Sequence, residues 1–453
     1  MATVDRTPGR LWPFLGGVLA GASGLLLVQA MAKRPRLDPR LIPASPEDPD
    51  VPATVLVPGI LGSELIRPDG TQAWLNAGNA LGHHDLSLPL EPDSREVADR
   101  LVPAGLIGVD AVLPRLFGFT EYADLLDLLE NAGFHRDRHP KGRGAVHHVF
   151  TYDWRGDLVA SARRLGELLD GLADAAGDPG ARFNVVAHSM GGLVARYYLR
   201  YGGAEPDGPV TWAGAGRIRN LVLVATPNGG GIPALDAILN GNRVGLSATT
   251  LAAPVIASFP SIYQLLPHSG TTPLLDERAR PLSLELLDPA TWERFGWGAY
   301  EPSALDGRHR DPDAERAFLD AALRRARQFH QALSAPASEP CPCRVVMLGG
   351  DCLPTLGRAI VPERPGEAPR FDPMTRAESA AMYEAGDGRV TRASVLASHL
   401  PLADDDSSSG LPEVRYVFFG AADHHGIYRE PTFQSLLLRL LLQPARRRTA
   451  LPK

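Results

Sequence analysis

Cysteine is scarce in this chain: three occur in 453 residues, at Cys341, Cys343 and Cys352. An odd number with C-x-C spacing fits neither a disulfide framework nor a zinc signature, so no metal site is expected. The thiols read as small apolar fillers beside a strand, with one disulfide across the cluster left open if the domain is exported. Clusters of Lys and Arg interleaved with aromatics are also missing, and the formal net charge is -6, which argues against a nucleic-acid partner. Pro and Gly, by contrast, are plentiful at 41 and 46 residues, and they announce many turns and long connections. The length suits two or three average domains or one α/β catalytic unit carrying insertions.

Leu11 to Met31 is an apolar run without a charge, and about 20 such residues span a bilayer. Arg6 and Arg10 precede it, and Ala30-Met31-Ala32 offers a small-residue cleavage site, so residues 1–32 read as a membrane anchor or a signal segment. Lys33, Arg34, Arg36 and Arg40 follow at once, and with an uncleaved anchor they would keep the rest of the chain on the cytoplasmic face. Residues 33–50 are rich in proline, as in an extended linker. The folded domain is then expected over 51–453.

The stretch Arg182 to Arg196, R-F-N-V-V-A-H-S-M-G-G-L-V-A-R, organises that domain. Phe183, Val185 and Val186 suit a buried strand, while Leu193, Val194, Tyr197 and Tyr198 recur at helical spacing. Ser189 therefore falls on a strand-to-helix turn. Small residues at minus two and plus two, Ala187 and Gly191, let the chain bend sharply there, which is the requirement of a nucleophile elbow. In such hydrolases one oxyanion donor is the amide after the Ser, here Met190. The other comes from an early strand-to-helix loop, here Ile60 after the buried run Val55-Leu56-Val57.

Three blocks taken together, V-P-G-I-L-G-S-E-L from Val57 to Leu65, T-Y-D-W-R from Thr151 to Arg155 and A-H-S-M-G-G from Ala187 to Gly192, resemble the lecithin:cholesterol acyltransferase family. That family includes lysosomal phospholipase and phospholipid:diacylglycerol acyltransferase relatives. The resemblance continues through P-S-I-Y-Q-L-L-P at Pro260 to Pro267 and G-D-C-L-P-T at Gly350 to Thr355. It implies an α/β-hydrolase fold: a mostly parallel sheet with helices on both faces and a lid or cap insertion, here at about 229–340. It also implies a Ser/Asp/His triad and lipid acyl esters as substrates, which would bring the enzyme to a membrane or lipid surface.

In this fold the triad order is Ser, acid, His. The acid falls at Asp387, in A-G-D-G-R-V; the family pattern is G-D-G-T-V, so Arg389 stands where a Thr is usual. The final strand, Val414 to Gly420, leads to A-A-D-H-H-G-I-Y, and the resembling family's usual spacing, D-H-x-G followed by an apolar residue, implies His424 as base, with His425 as the alternative. His188 reads as a packing residue of the elbow. Ser189, relieved of its proton by His424 with Asp387 behind it, would attack an ester carbonyl, and water or an alcohol would remove the acyl group, with no cofactor required. Hydrolysis and transfer share this acyl-enzyme. A catalytically silent lipid-binding homologue and a soluble short-chain esterase are the rival readings.

Three further expectations concern the remaining segments. Trp74, Leu75, Leu101 to Ile107 and Phe117 to Phe119 place large apolar residues in loop-like context, as satellite core under a long loop or, as the family resemblance implies, a lipid-docking segment. Tyr152 to Arg155 reads as a packed, ion-paired corner. Ala314 to Leu333 is basic and amphipathic in part, and reads as a solvated scaffold helix.

Overall fold

The first strand, β1 (Thr54–Val57), is buried along its whole length, as the unbroken apolar run demands of a strand covered on both sides. In the computed structural model, which describes residues 46–48, 50–74, 86–90, 101–107, 121–138, 144–242, 251–301, 311–364, 366–401 and 409–443, β1 is followed by β2 (Ser63–Ile66), β3 (Gln72–Trp74), β4 (Val102–Leu106), β5 (His135–Arg136) and β6 (Val146–Val149). Next come β7 (Phe183–His188), β8 (Ile218–Val224), β9 (Leu274–Leu275) and β10 (Arg344–Gly350). The last are β11 (Leu353–Leu356), β12 (Ala359–Ile360), β13 (Tyr383–Gly386) and β14 (Val414–Gly420). The apolar run at 11–31 and most of the linker lie outside the described residues. Among those described, no helix is long and apolar enough to cross a membrane.

Seven strands form the central sheet in the order β14-β10-β8-β7-β1-β6-β5. Every neighbouring pair runs parallel. Val55, Val185, Leu221 and Val345 stand in register across four strands, and all are fully buried; each contributes about 1.5–3 kcal/mol by leaving water. The chain moves from β1 out to β5 and then returns across the sheet to β14, so its direction reverses at the edge strand β5. Right-handed crossovers then place α1 (Glu121–Asn131) on one face. The helices α2 (Leu158–Ala175) and α3 (Met190–Tyr201) share the other face and pack on each other.

Two expectations need correction. The segments around Trp74 and 101–107 are not loops: β3, β2 and β4 form a small antiparallel sheet. Trp74 is fully buried, packs edge-on against Trp154 with ring centroids 5.6 Å apart, and donates its indole N–H to the Leu61 carbonyl. Trp74 pairs with the nearby Leu65, but β2 also pairs with β4 much further along the chain, Leu65 with Pro103, which a local reading of hydrophobicity does not reveal. Leu75 and Phe117 to Phe119 lie outside the described residues.

Between β8 and β10 run α4 (Ile232–Asn240), α5 (Ala253–Ile256), α6 (Pro260–Gln264), α7 (Pro289–Phe295) and α8 (Pro312–Ser334). The second correction concerns α8, which is not merely solvated. Phe318, Leu319, Leu323, Ala326, Phe329 and Leu333 bury one stripe of it, at the spacing of an amphipathic helix. Its Arg325 reaches Asp157, the N-cap of α2, at 2.8 Å, and Glu205 at 2.7 Å. The helices α9 (Arg376–Met382), α10 (Arg392–Val395) and α11 (Pro431–Leu441) complete the order. The three thiols are free: Cys352 is exposed, and Cys343 is buried with its sulfur 3.0 Å from the Ile218 carbonyl.

The Tyr152–Arg155 stretch is the packed corner its residue types suggest. Asp153 and Arg155 pair at 2.6 Å with both side chains buried, the Tyr152 hydroxyl donates to the Pro58 carbonyl at 2.9 Å, and the Trp154 indole donates to the Ser63 carbonyl at 3.0 Å. It thereby clamps the loop after β1 from below. Ser261 on α6 donates to the Trp154 carbonyl at 2.7 Å, tying the insertion to the same corner.

Candidate active site

Ser189 leaves β7 and caps α3 with φ 52° and ψ -127°. A non-glycine residue held at positive φ is strained, and the strain persists because the neighbours allow no other path. A Cβ on Gly191 would lie 2.7 Å from the Val57 carbonyl oxygen and closer still to that of Pro58; one on Gly192 would overlap Thr226. The two glycines thus let the start of α3 press against the ends of β1 and β8. The Ser189 amide donates to the Val224 carbonyl at 2.8 Å, fixing the turn to the sheet.

His424, on the loop after β14, places Nε2 3.1 Å from Ser189 Oγ and Nδ1 2.8 Å from Asp387 Oδ2. All three side chains are buried. Asp387 Oδ1 accepts from the amides of Arg389 at 2.9 Å and Val390 at 2.7 Å, and the His424 amide donates to the Asp387 carbonyl at 2.9 Å. Burial alone would raise the Asp387 carboxyl; the facing His424 and these hydrogen bonds outweigh it and hold the group below the ordinary carboxylate value. His425 lines the same cavity, but its ring stands edge-on to His424, 5.4 Å between centroids, outside the Ser189–Asp387 line.

Ile60 lines the cavity in the loop after β1. A Cβ on neighbouring Gly59 would come within 2.9 Å of Ser189 Cβ, so this loop lies directly against Ser189. Met190 opens α3, where the first amides of a helix have no partner inside it. Both residues therefore border Ser189.

One member of the arrangement carried no signal in the sequence. The Gly59 amide donates to the Tyr122 hydroxyl at 2.8 Å, and that hydroxyl lies 3.0 Å from His188 Nδ1. His188 Nε2 in turn lies 3.3 Å from the His424 carbonyl. With its oxygen accepting from Gly59, Tyr122 donates to His188 Nδ1, and His188 Nε2–H donates to His424. This chain of contacts links the loop of Ile60 to the loop of His424. His188 packs at the elbow, as its position suggested, and also holds the histidine loop.

The cavity over Ser189 has a volume of about 430 Å³, with walls that include Leu61, Ala234, Ile256, Phe259, Ile262 and Leu265. Most of these come from the insertion. Among the described residues no group of His, Cys, Asp and Glu is arranged to hold a metal ion.

Behind Gly229, three imidazoles meet: His268 stacks on His330 with centroids 3.6 Å apart and stands 5.0 Å from His399. Arg196 adds positive charge beside them, itself paired with Glu413. Burial, then repulsion from these neighbours, holds His268 well below the ordinary histidine value, and burial lowers His330 and His399 to about 4. The native state thus refuses protons that the unfolded chain takes up below about pH 6.5. Stability is expected to hold above that pH and to fall as pH drops toward 4, by about 3 kcal/mol from His330 alone. Urea midpoints at pH 7 and pH 4.5 measure this; His268→Phe should flatten the dependence, and equal slopes in both proteins would refute the assignment.

The parallel sheet, with its strand order and its elbow after β7, defines an α/β-hydrolase. Residues 82–287 match the family model described as lecithin:cholesterol acyltransferase, in line with the resemblance read from the motifs. No curated protein matches the chain. Among solved structures, that of the Tle4-Tli4 complex contains a chain similar over 86% of this chain and 98% of its own, with 16% identity and a TM-score of 0.53. Lipase BlEst2 of Bacillus licheniformis covers 88% of this chain and 95% of its own at 12% identity and TM-score 0.33. Phospholipase PlaB of Legionella pneumophila covers 66% and 39%, at 12% identity and TM-score 0.24. Identities this low speak to fold alone.

Proposed function

We propose that the protein is a serine enzyme that takes acyl groups from lipid esters through an acyl-enzyme and passes them to water or to an alcohol. The observation that carries this reading is the hydrogen-bonded line from Ser189 Oγ through His424 to Asp387 at 3.1 Å and 2.8 Å, opening on an apolar cavity. Ser189 Oγ attacks the ester carbonyl as its proton passes to His424 Nε2, and the lowered Asp387 carboxylate stabilises the imidazolium that forms. The amides of Ile60 and Met190 serve the oxyanion. His424 then returns the proton to the departing alcohol, and a second oxygen nucleophile repeats the sequence in reverse.

In the same reading, residues 229–340 act as a lid that supplies the acyl-binding walls, and residues 1–32 bring the enzyme to a membrane or carry it for export. Ser189→Ala is the test. A fluorophosphonate probe should label the wild-type chain and not the variant, and acyl release from a lipid ester should fall by roughly 10^4-fold or more. Labelling and activity retained in the variant would end the proposal. Product analysis with a competing long-chain alcohol separates transfer from hydrolysis.

A further inference from the structure

Arg389 stands where the resembling family carries a Thr, and its surroundings give it something to do. Its amide is fixed to Asp387 Oδ1 at 2.9 Å, so the residue is anchored to the acid of the site. The residue is exposed, and among the described residues its guanidinium has no hydrogen bond or ion pair. Nearby arginines differ: Arg392 reaches Asp351 at 3.3 Å, and Arg358 reaches Glu384 at 3.8 Å.

Two cavities meet at this residue. The first is the apolar one over Ser189; the second, of about 270 Å³, has hydroxyl groups of Thr271, Thr272, Thr391 and Ser398 among its otherwise largely apolar walls. Gly231 and Arg389 line both. The charged residues of the second cavity are Arg358, Glu384 and Arg389, with His399 kept neutral by burial. Since Glu384 answers Arg358, Arg389 leaves one positive charge uncompensated, and among the described residues no further carboxylate lines the cavity to receive a cationic group. In the first cavity Asp236 is held by Asn240 at 2.7 Å and forms no ion pair with Arg389.

We infer that Arg389 determines specificity by binding an oxyanion on the head of the substrate, so that the enzyme selects acyl lipids with a net-anionic phosphodiester head group over zwitterionic or neutral ones. The acyl chain lies in the first cavity with its ester at Ser189, and the head group passes Arg389 into the second. A guanidinium meets two phosphate oxygens at once through its planar fork, which a Thr cannot do. This rests on the proposed serine chemistry.

The test uses the full chain with nonionic mixed micelles containing dioleoyl phosphatidylglycerol, dioleoyl phosphatidylcholine or dioleoylglycerol, following loss of the acyl donor. Wild type should favour phosphatidylglycerol. In Arg389→Gln the ratio of kcat/KM for phosphatidylglycerol to that for dioleoylglycerol should fall roughly 10- to 100-fold, with Arg389→Lys recovering part of it. Arg392→Gln, which removes a nearby charge outside both cavities, should leave the ratio at its wild-type value. An unmoved ratio in Arg389→Gln, or an equal fall in Arg392→Gln, overturns the inference. So does inhibition by inorganic phosphate that Arg389→Gln abolishes while the lipid ratio stays fixed, which would mark a free-anion site. Ser189-dependent turnover of dioleoylglycerol with an unmoved ratio defeats only this inference; no Ser189-dependent turnover of any lipid defeats the serine reading and this with it.

Discussion

His424→Ala is expected to lower acyl-ester turnover by roughly four to six orders of magnitude, while His425→Ala should cost less than about tenfold. The sequence offers both imidazoles at adjacent positions, and geometry separates them. His424 bridges Ser189 and Asp387 at 3.1 Å and 2.8 Å; His425 sits edge-on beside it, its amide donating to Asp423 at 3.1 Å. Residues of a proton-transfer line act as one unit, so loss of the base should cost nearly as much as loss of the nucleophile, and the double variant Ser189→Ala/His424→Ala should add little. Fluorophosphonate labelling rates and steady-state turnover, measured on the same preparations, check this. A large loss in His425→Ala with little in His424→Ala would move the base by one residue.

Glu413→Gln should be the most destabilising single change named here, by about 3–5 kcal/mol. Glu413, just before β14, accepts from Arg196 at 2.8 Å and Arg200 at 3.2 Å, and all three side chains are buried. Arg196 also donates to Asn228 at 3.0 Å and to the Leu333 carbonyl at 3.0 Å, so one carboxylate compensates two guanidiniums that join α3, the start of the insertion and α8. Removing its charge leaves both cations buried without an answering anion. The comparison is Asp170→Asn, which breaks the exposed pair with Arg217 at 2.7 Å and should cost at most about 1 kcal/mol. Denaturant midpoints of the two variants, read at pH 7, decide the matter; similar shifts would show that burial adds nothing.

Strands β1, β7, β8 and β10 of the central sheet were legible because each is a buried, largely apolar run ended by Gly, Pro or a polar turn, as at Val55–Val57 and Ile218–Val224, whereas the two-residue β5, His135–Arg136, offers no such run. Ser189, Asp387 and His424 were legible through their short motifs, and the structure brings them together. What stayed hidden depends on partners far along the chain. Tyr122 lies 63 residues from the Gly59 amide it receives, and Arg196 lies 217 residues from Glu413. No local pattern distinguishes such a Tyr from any aromatic on an amphipathic helix, or such an Arg from a solvated one. The strands β2, β3 and β4 escaped for the same reason, being short and joined across an intervening stretch of chain.

The histidine that completes the site hangs from β14, the outermost strand of the sheet, which pairs with β10 alone among the described residues. Its side chains are only half-buried or exposed, Tyr416 at 64%. β7, which carries Ser189, is enclosed by neighbours on both sides. Margins of a sheet open locally at lower free energy than its interior. Warming or mild denaturant is therefore expected to detach His424 while Ser189 remains in place, so that the proposed turnover fades before the bulk spectroscopic signal of folding does. The working lifetime of the proposed activity would be set at one margin of the sheet, and strengthening the β14–β10 seam would lengthen it more than any improvement to the core.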